Sequence, residues 1–268
     1  GLAMITEMPL VIVNVQRGGP STGLPTKTEQ SDLMQALYGR NGDAPMPVIA
    51  ASTPGDCFEV AYEACRIAVK YMTPVLLLSD GYLANGSEPW LIPDPDSLNA
   101  FDVTFADKPN HKVDGEDVFW PYLRDEKTLA RPWAKPGTAG LEHRVGGLEK
   151  EDGSGNVSYD SMNHEKMTQL RFEKVKRIQQ EIPATEIFGD PDADLLIVGW
   201  GSTRGAIEAG VTRSIAAGLK VASIHLRFIS PLPGDLTEVF SQFKQFLVPE
   251  LNNGQLVRVL RDECLLPF

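Results

Sequence analysis

Cysteine is scarce: Cys57, Cys65 and Cys264 are the three in a chain of 268 residues. They form no C-x-x-C pair and leave an odd count, so neither a disulfide framework nor a cysteine-held zinc or iron–sulfur site can be built from this chain alone. That usage suits a reducing cytoplasm. Positive charge is also short. Lys plus Arg number 25 against 36 Asp plus Glu, a net charge of −11. Nucleic acid therefore drops out as a partner, because phosphate binding rests on clustered Lys and Arg. No apolar run nears the ~20 residues a membrane helix needs; the longest, such as 9–13 and 74–78, have strand length. The N-terminus lacks the basic stretch and long apolar core of a signal peptide. The expectation is a cytoplasmic protein that engages neither membrane nor nucleic acid.

What is present is globular in kind. A hydrophobic fraction of 42% excludes disorder of the whole chain. The length is nearly twice the ~150 residues of a typical domain, so two domains are expected.

The first block alternates strand and helix signals. Leu10-Val-Ile-Val-Asn-Val15 reads as a strand apolar on both faces, as a parallel sheet covered by helices requires. A Gly/Pro/Ser/Thr loop spans 17–28, and 30–37 reads as a short helix. Val48-Ile-Ala-Ala51 is a second strand, Thr53-Pro-Gly-Asp56 a helix entry, and Val60, Ala61, Ala64, Ile67, Ala68 and Tyr71 carry the 3.6-residue period. Pro74-Val-Leu-Leu-Leu78 is a third strand. This order predicts α/β architecture with a parallel sheet.

The middle, from Pro89 to about Asp160, is rich in Pro, Gly and aromatics and has little periodicity. A structureless loop of that length does not belong inside one compact domain, so it reads as an extended excursion packing on a neighbour. The segment 162–180 reads as a solvent-facing connecting helix. The α/β rhythm then restarts: a strand at 194–201, a helix at 204–219, a strand at 221–226, a helix at 234–246, a strand at 246–248 and a final helix at 254–261.

Several constellations invite chemistry. The loop Gln16-Arg-Gly-Gly-Pro-Ser-Thr-Gly-Leu-Pro-Thr-Lys-Thr28 leaves the carboxyl end of a buried strand, where open α/β sheets place ligands. Its glycines let backbone approach a ligand, its hydroxyls and amides can donate, and Arg17 can clamp a carboxylate bidentately. The bland alternative is a surface turn with an exposed arginine. Gly199-Trp-Gly-Ser-Thr-Arg-Gly205 fails as a dinucleotide fingerprint: its third glycine would be Arg204, and Arg227 stands where the acidic residue belongs. Asp152-Gly-Ser-Gly-Asn-Val-Ser-Tyr-Asp160 fails as a calcium loop, with Val157 and Asn163 at the sixth and twelfth positions. His143 stands with no nucleophile at a sensible spacing, and Cys57 and Cys65 among alanines read as core.

The run Val13-Asn-Val-Gln-Arg-Gly-Gly-Pro-Ser-Thr-Gly-Leu-Pro-Thr-Lys-Thr-Glu-Gln-Ser-Asp-Leu33 resembles the alpha subunit of the 2-oxoacid:ferredoxin oxidoreductases, of the 2-oxoglutarate type. Tyr38-Gly-Arg-Asn-Gly-Asp43, Leu78-Ser-Asp-Gly-Tyr82, Gly140-Leu-Glu-His-Arg-Val-Gly-Gly-Leu-Glu149, Gly155-Asn-Val-Ser-Tyr159 and Pro249-Glu-Leu-Asn-Asn-Gly-Gln-Leu256 extend the resemblance over essentially the whole chain. It implies a pyrimidine-type thiamine-diphosphate domain over 1–100, with its N-terminal part missing. An excursion over 101–165 and a connecting helix and linker over 166–191 would lead to a transketolase C-terminal-like domain over 192–268.

It further implies oxidative decarboxylation of 2-oxoglutarate with coenzyme A, giving succinyl-CoA, carbon dioxide and reduced ferredoxin. Arg17 and Thr26 match the family's substrate-recognition residues. Thiamine diphosphate and Mg²⁺ would lie mainly on a beta subunit, the iron–sulfur cluster on a partner chain, and no cofactor on this chain alone. The family's upstream Tyr-Pro-Ile-Thr-Pro segment, activating Glu and Ser-Gly-Pro-Gly turn have no match here. A fragment, inactive by itself, is therefore the expectation. Pyruvate or branched-chain 2-oxoacids, other thiamine enzymes and a non-catalytic interaction subunit are the alternatives.

Overall fold

A computed structural model describes residues 1–101 and 103–264. The last four positions of the expected second domain, and Asp102, lie outside the described residues. Helix α1 (Leu2–Thr6) leads into β1 (Leu10–Gln16), α2 (Leu33–Tyr38), β2 (Val48–Ala50), α3 (Asp56–Tyr71), β3 (Pro74–Asp80) and α4 (Gly81–Asn85). Two small ribbons follow: β4 (Phe105–Ala106) pairs with β7 (Trp133–Ala134), and β5 (His111–Val113) with β6 (Glu116–Val118). The long α5 (Ser161–Arg177) connects to β8 (Phe188–Gly189), β9 (Leu195–Trp200), α6 (Arg204–Ala216), β10 (Val221–Leu226), β11 (Phe228–Ser230), α7 (Leu236–Ser241), β12 (Gln245–Leu247) and α8 (Gln255–Cys264).

The fold is α/β, with two four-stranded sheets. One has the order β1-β3-β2-β11, its first three strands parallel; the other has the order β12-β9-β10-β8, again with three parallel strands and one antiparallel edge. The sheets are not isolated. Strand β11 follows β10 directly in the chain yet pairs with β2 of the first sheet. One core joins Leu33, Val48 and Leu78 of the first block to Leu196, Trp200, Ile224 and Leu260 of the last.

Several expectations need correction. β1 is not buried on both faces: it is the edge of its sheet, and Leu10, Ile12, Val13 and Val15 are 39–56% exposed. An aliphatic run says that a strand forms but not whether it lies at the centre or the edge. The connecting helix is not simply solvent-facing, because Met167, Arg171, Lys174 and Val175 are buried along one side. The helix expected over 234–246 spans only Leu236–Ser241; Lys244 and Gln245 turn back to donate to the Asp194 carbonyl and start β12. The excursion carries the ribbons and its own small cluster of Phe119, Ala134 and Leu141. Cys57 and Cys65 are only half-buried.

Candidate active site

Parallel strands end their backbone ladders with carbonyls and feed loops outward, so ligands gather beyond the carboxyl ends. Here β1 and β3 end in register, Gln16 opposite Asp80. Arg17 and Thr26 lie on the loop that leaves β1, and both side chains are exposed. The loop is closed at its neck: Gly18 N–H donates to the Lys27 carbonyl (2.9 Å), Leu24 N–H to the Gly18 carbonyl (2.8 Å) and Lys27 N–H to the Leu24 carbonyl (3.0 Å). The Glu29 carboxylate accepts from Gly19 N–H (3.3 Å) and from the Ser31 hydroxyl (3.0 Å). Gly23 holds φ +47°, and a Cβ there would lie 2.1 Å from the Gly18 carbonyl oxygen, so this turn admits only glycine.

The acidic groups at this edge are occupied. Asp80, 1% exposed, caps α4 by accepting from Tyr82 N–H (2.9 Å) and Leu83 N–H (3.1 Å). Asp56 accepts from Ser52 N–H (2.8 Å) and the Ser52 hydroxyl (2.7 Å), and pairs with Arg227. The first turn of α3, a natural place for an anion, is taken by Glu88, which accepts from Thr53 Oγ1 (2.6 Å) and Gly55 N–H (2.5 Å). The Arg17 guanidinium, like the exposed Lys27 side chain on the same loop, makes no hydrogen bond or ion pair among the described residues, in a chain with 36 acidic side chains. A free, exposed fork at a strand's carboxyl end can receive a carboxylate with two parallel hydrogen bonds.

The remaining sequence candidates do other work. His143 is engaged locally, its Nδ1–H donating to the Leu141 carbonyl (2.8 Å) and its ring edge-on to Phe119. Burial pushes the Cys57 thiol up, and its Sγ donates to the Thr53 carbonyl (3.5 Å), so it is no ready nucleophile. Sequence reasoning missed the two glutamines at the loop's ends. Gln16, 2% exposed, donates to the Ser79 carbonyl (3.2 Å) and accepts from Asp32 N–H (3.1 Å). Gln30 is wholly buried. Polar residues flanking a glycine-rich loop were the available signal. Among the described residues no group of three His, Cys, Asp or Glu side chains could hold a metal by itself.

Residues 1–163 match the family described as "Pyruvate flavodoxin/ferredoxin oxidoreductase, thiamine diP-bdg". The chain belongs to this family. It is 54% identical over 267 residues to the 2-oxoglutarate oxidoreductase subunit KorA of Mycobacterium tuberculosis, covering 99% of this chain and 39% of that protein. It is 33% identical over 266 residues to the 2-oxoacid:ferredoxin oxidoreductase subunit alpha of Saccharolobus solfataricus, covering 97% of this chain and 41% of that one. The chain therefore spans about two fifths of the length of these relatives. The solved 2-oxoglutarate:ferredoxin oxidoreductase of Magnetococcus marinus, with 2-oxoglutarate, coenzyme A and succinyl-CoA bound, superposes with a TM-score of 0.87 at 35% identity, over 98% of this chain and 45% of that one.

Proposed function

We propose that this chain forms the substrate-binding wall of a 2-oxoglutarate:ferredoxin oxidoreductase, converting 2-oxoglutarate and coenzyme A to succinyl-CoA and carbon dioxide while reducing ferredoxin. The observation that carries the reading is the unpaired Arg17 at the carboxyl end of β1, on a loop whose neck is closed by backbone hydrogen bonds. Arg17 receives a carboxylate of the 2-oxoacid, and the Thr26 hydroxyl donates to a second oxygen. Because 2-oxoglutarate is a dianion and the protein is acidic, neutralising one carboxylate is the step that admits the substrate. Thiamine diphosphate, when bound, supplies the carbon nucleophile and the electron sink for decarboxylation. Its diphosphate and Mg²⁺ we assign mainly to a beta subunit. An iron–sulfur partner and ferredoxin take the electrons.

The relatives' names and the bound molecules of the Magnetococcus marinus structure support the substrate assignment. We read residues 1–100 as the pyrimidine-type unit and 192–268 as the transketolase-like unit, in a cytoplasmic complex. No helix among the described residues is long and apolar enough to cross a membrane. The test is the complete subunit assembled with its partner and assayed for coenzyme-A-dependent reduction of a viologen dye. 2-Oxoglutarate is expected to outrun pyruvate and branched-chain 2-oxoacids. A pyruvate preference overturns the substrate, and no reduction with any 2-oxoacid overturns the activity.

A further inference from the structure

The rear of the Arg17 loop is fastened to the second α/β unit, and Gln30 makes most of the fastening. Gln30 donates its main-chain N–H to the Leu251 carbonyl (3.0 Å), and its own carbonyl accepts from Asn252 Nδ2 (2.8 Å). Its side-chain Nε2 donates to the Trp200 carbonyl (2.8 Å) at the carboxyl end of β9, while Oε1 accepts from Leu251 N–H (3.2 Å). All of these partners belong to the later block, some 170 to 220 residues away.

The receiving surface is built to match. Gly201 holds φ +57°, and a Cβ there would come within 2.6 Å of Gln30 Nε2, so only glycine lets the amide approach. Glu250 stiffens the segment below by accepting from Leu256 N–H (2.8 Å), Val257 N–H (3.1 Å), Asn252 Nδ2 (2.9 Å) and Trp200 Nε1 (3.4 Å). Gln255 closes the clasp, donating to the Ser31 carbonyl (2.7 Å) and accepting from Met34 N–H (3.0 Å).

We propose that Gln30 is a positioning residue for the substrate: through it, the second unit sets where the Arg17–Thr26 loop stands over the carboxyl end of the first sheet. The chemistry requires an amide. One end must donate to a carbonyl while the other accepts from an N–H; glutamate loses the donor and methionine loses both. Displacement of Gln30 passes to the loop because Lys27, three residues before it, is tied to Gly18 at the neck. The inference rests on Arg17 being the carboxylate clamp.

The test is a double-mutant cycle in the assembled enzyme, reading KM for 2-oxoglutarate, KM for coenzyme A, kcat and Tm. Gln30→Met is expected to raise KM for 2-oxoglutarate by about tenfold or more, since a misplacement near 1 Å weakens a clamp by one to two orders of magnitude. KM for coenzyme A stays within about twofold. In the Arg17→Ala background the same substitution adds nothing, because the group it positions is gone. Asn252→Ala, which keeps the glutamine and removes the donor to its carbonyl, shifts KM for 2-oxoglutarate in the same direction and carries the cycle if Gln30→Met does not fold. Equal rises in both KM values, or a loss that multiplies with that of Arg17→Ala, overturns the inference. Arg17→Ala without effect refutes the clamp itself; Arg17→Ala with effect and Gln30→Met without refutes the positioning role alone.

Discussion

Replacing Glu7 by glutamine removes one charge from the most deeply buried ionic knot in the protein. Glu7 ends α1 in a left-handed conformation (φ 52°) and is 1% exposed. Its carboxylate accepts from both terminal nitrogens of Arg124 (2.5 and 2.6 Å) and from Lys174 Nζ, and Lys174 also donates to the Met72 carbonyl (3.1 Å). Arg131 donates to the Thr6 and Glu7 carbonyls (both 3.1 Å) and Lys150 to the Ile5 carbonyl (3.2 Å), so cations crowd the end of α1. Burial by itself would raise the Glu7 pKa; Lys174 and Arg124 outweigh it and hold it at about 2, against an ordinary 4.5. That depression contributes about 3 kcal/mol at neutral pH, at the low end of the ~3–5 kcal/mol for breaking a buried pair. The low end applies because burial already draws Lys174 down to about 8, so in the variant it can shed its proton. For a chain of this size the loss lowers Tm by roughly 6–10 °C.

The pH dependence has a definite sign. A carboxylate with a depressed folded-state pKa stabilises fully above its unfolded value and loses that stabilisation as pH falls from about 4.5 to about 2. Thermal unfolding followed by far-UV circular dichroism should therefore show a Tm gap between wild type and Glu7→Gln that is full at pH 7 and closes in acid. A gap below about 2 °C at pH 7, or one that stays constant into acid, refutes the reasoning.

Two further outcomes follow from local geometry. Both ring nitrogens of His225 are buried without a hydrogen-bond partner among the described residues, and burial, with Arg204 nearby, lowers its pKa to about 4 from 6.5. The neutral ring is favoured in the fold, so stability should fall by about 3 kcal/mol as pH drops from 6.5 to 4; denaturant titrations should show this part of the acid sensitivity vanish in His225→Gln. Gly23→Ala places a Cβ against the Gly18 carbonyl at a positive φ. It should raise KM for 2-oxoglutarate by about tenfold and lower Tm by a few degrees, the cost of one strained residue of about 1–3 kcal/mol.

Much of the fold was legible because period and punctuation agree. The period-3.6 row from Val60 to Tyr71 forms α3, capped by Met72, and the aliphatic runs at 48–50, 74–80, 195–200 and 221–226 all became strands. What was hidden is long-range. Nothing near Lys174 announces that its partner is Glu7, 167 residues away, so a Lys- and Arg-rich helix read as solvent-facing. β11, only three residues long and one residue beyond a longer strand, carries no period of its own, and its pairing with β2 is decided by tertiary packing. The loop that carries Arg17 stood out through its composition, whereas Gln30 read as the start of a helix that begins at Leu33. Its role exists only through Trp200, Leu251 and Asn252.

The central claim is that the free guanidinium of Arg17 receives the substrate's carboxylate. Steady-state kinetics of Arg17→Ala in the assembled enzyme tests it most directly. Loss of a bidentate, charge-assisted pair predicts a fall in kcat/KM for 2-oxoglutarate of about 10²–10³-fold, with KM for coenzyme A unchanged. A kcat/KM within about twofold of wild type would contradict the account.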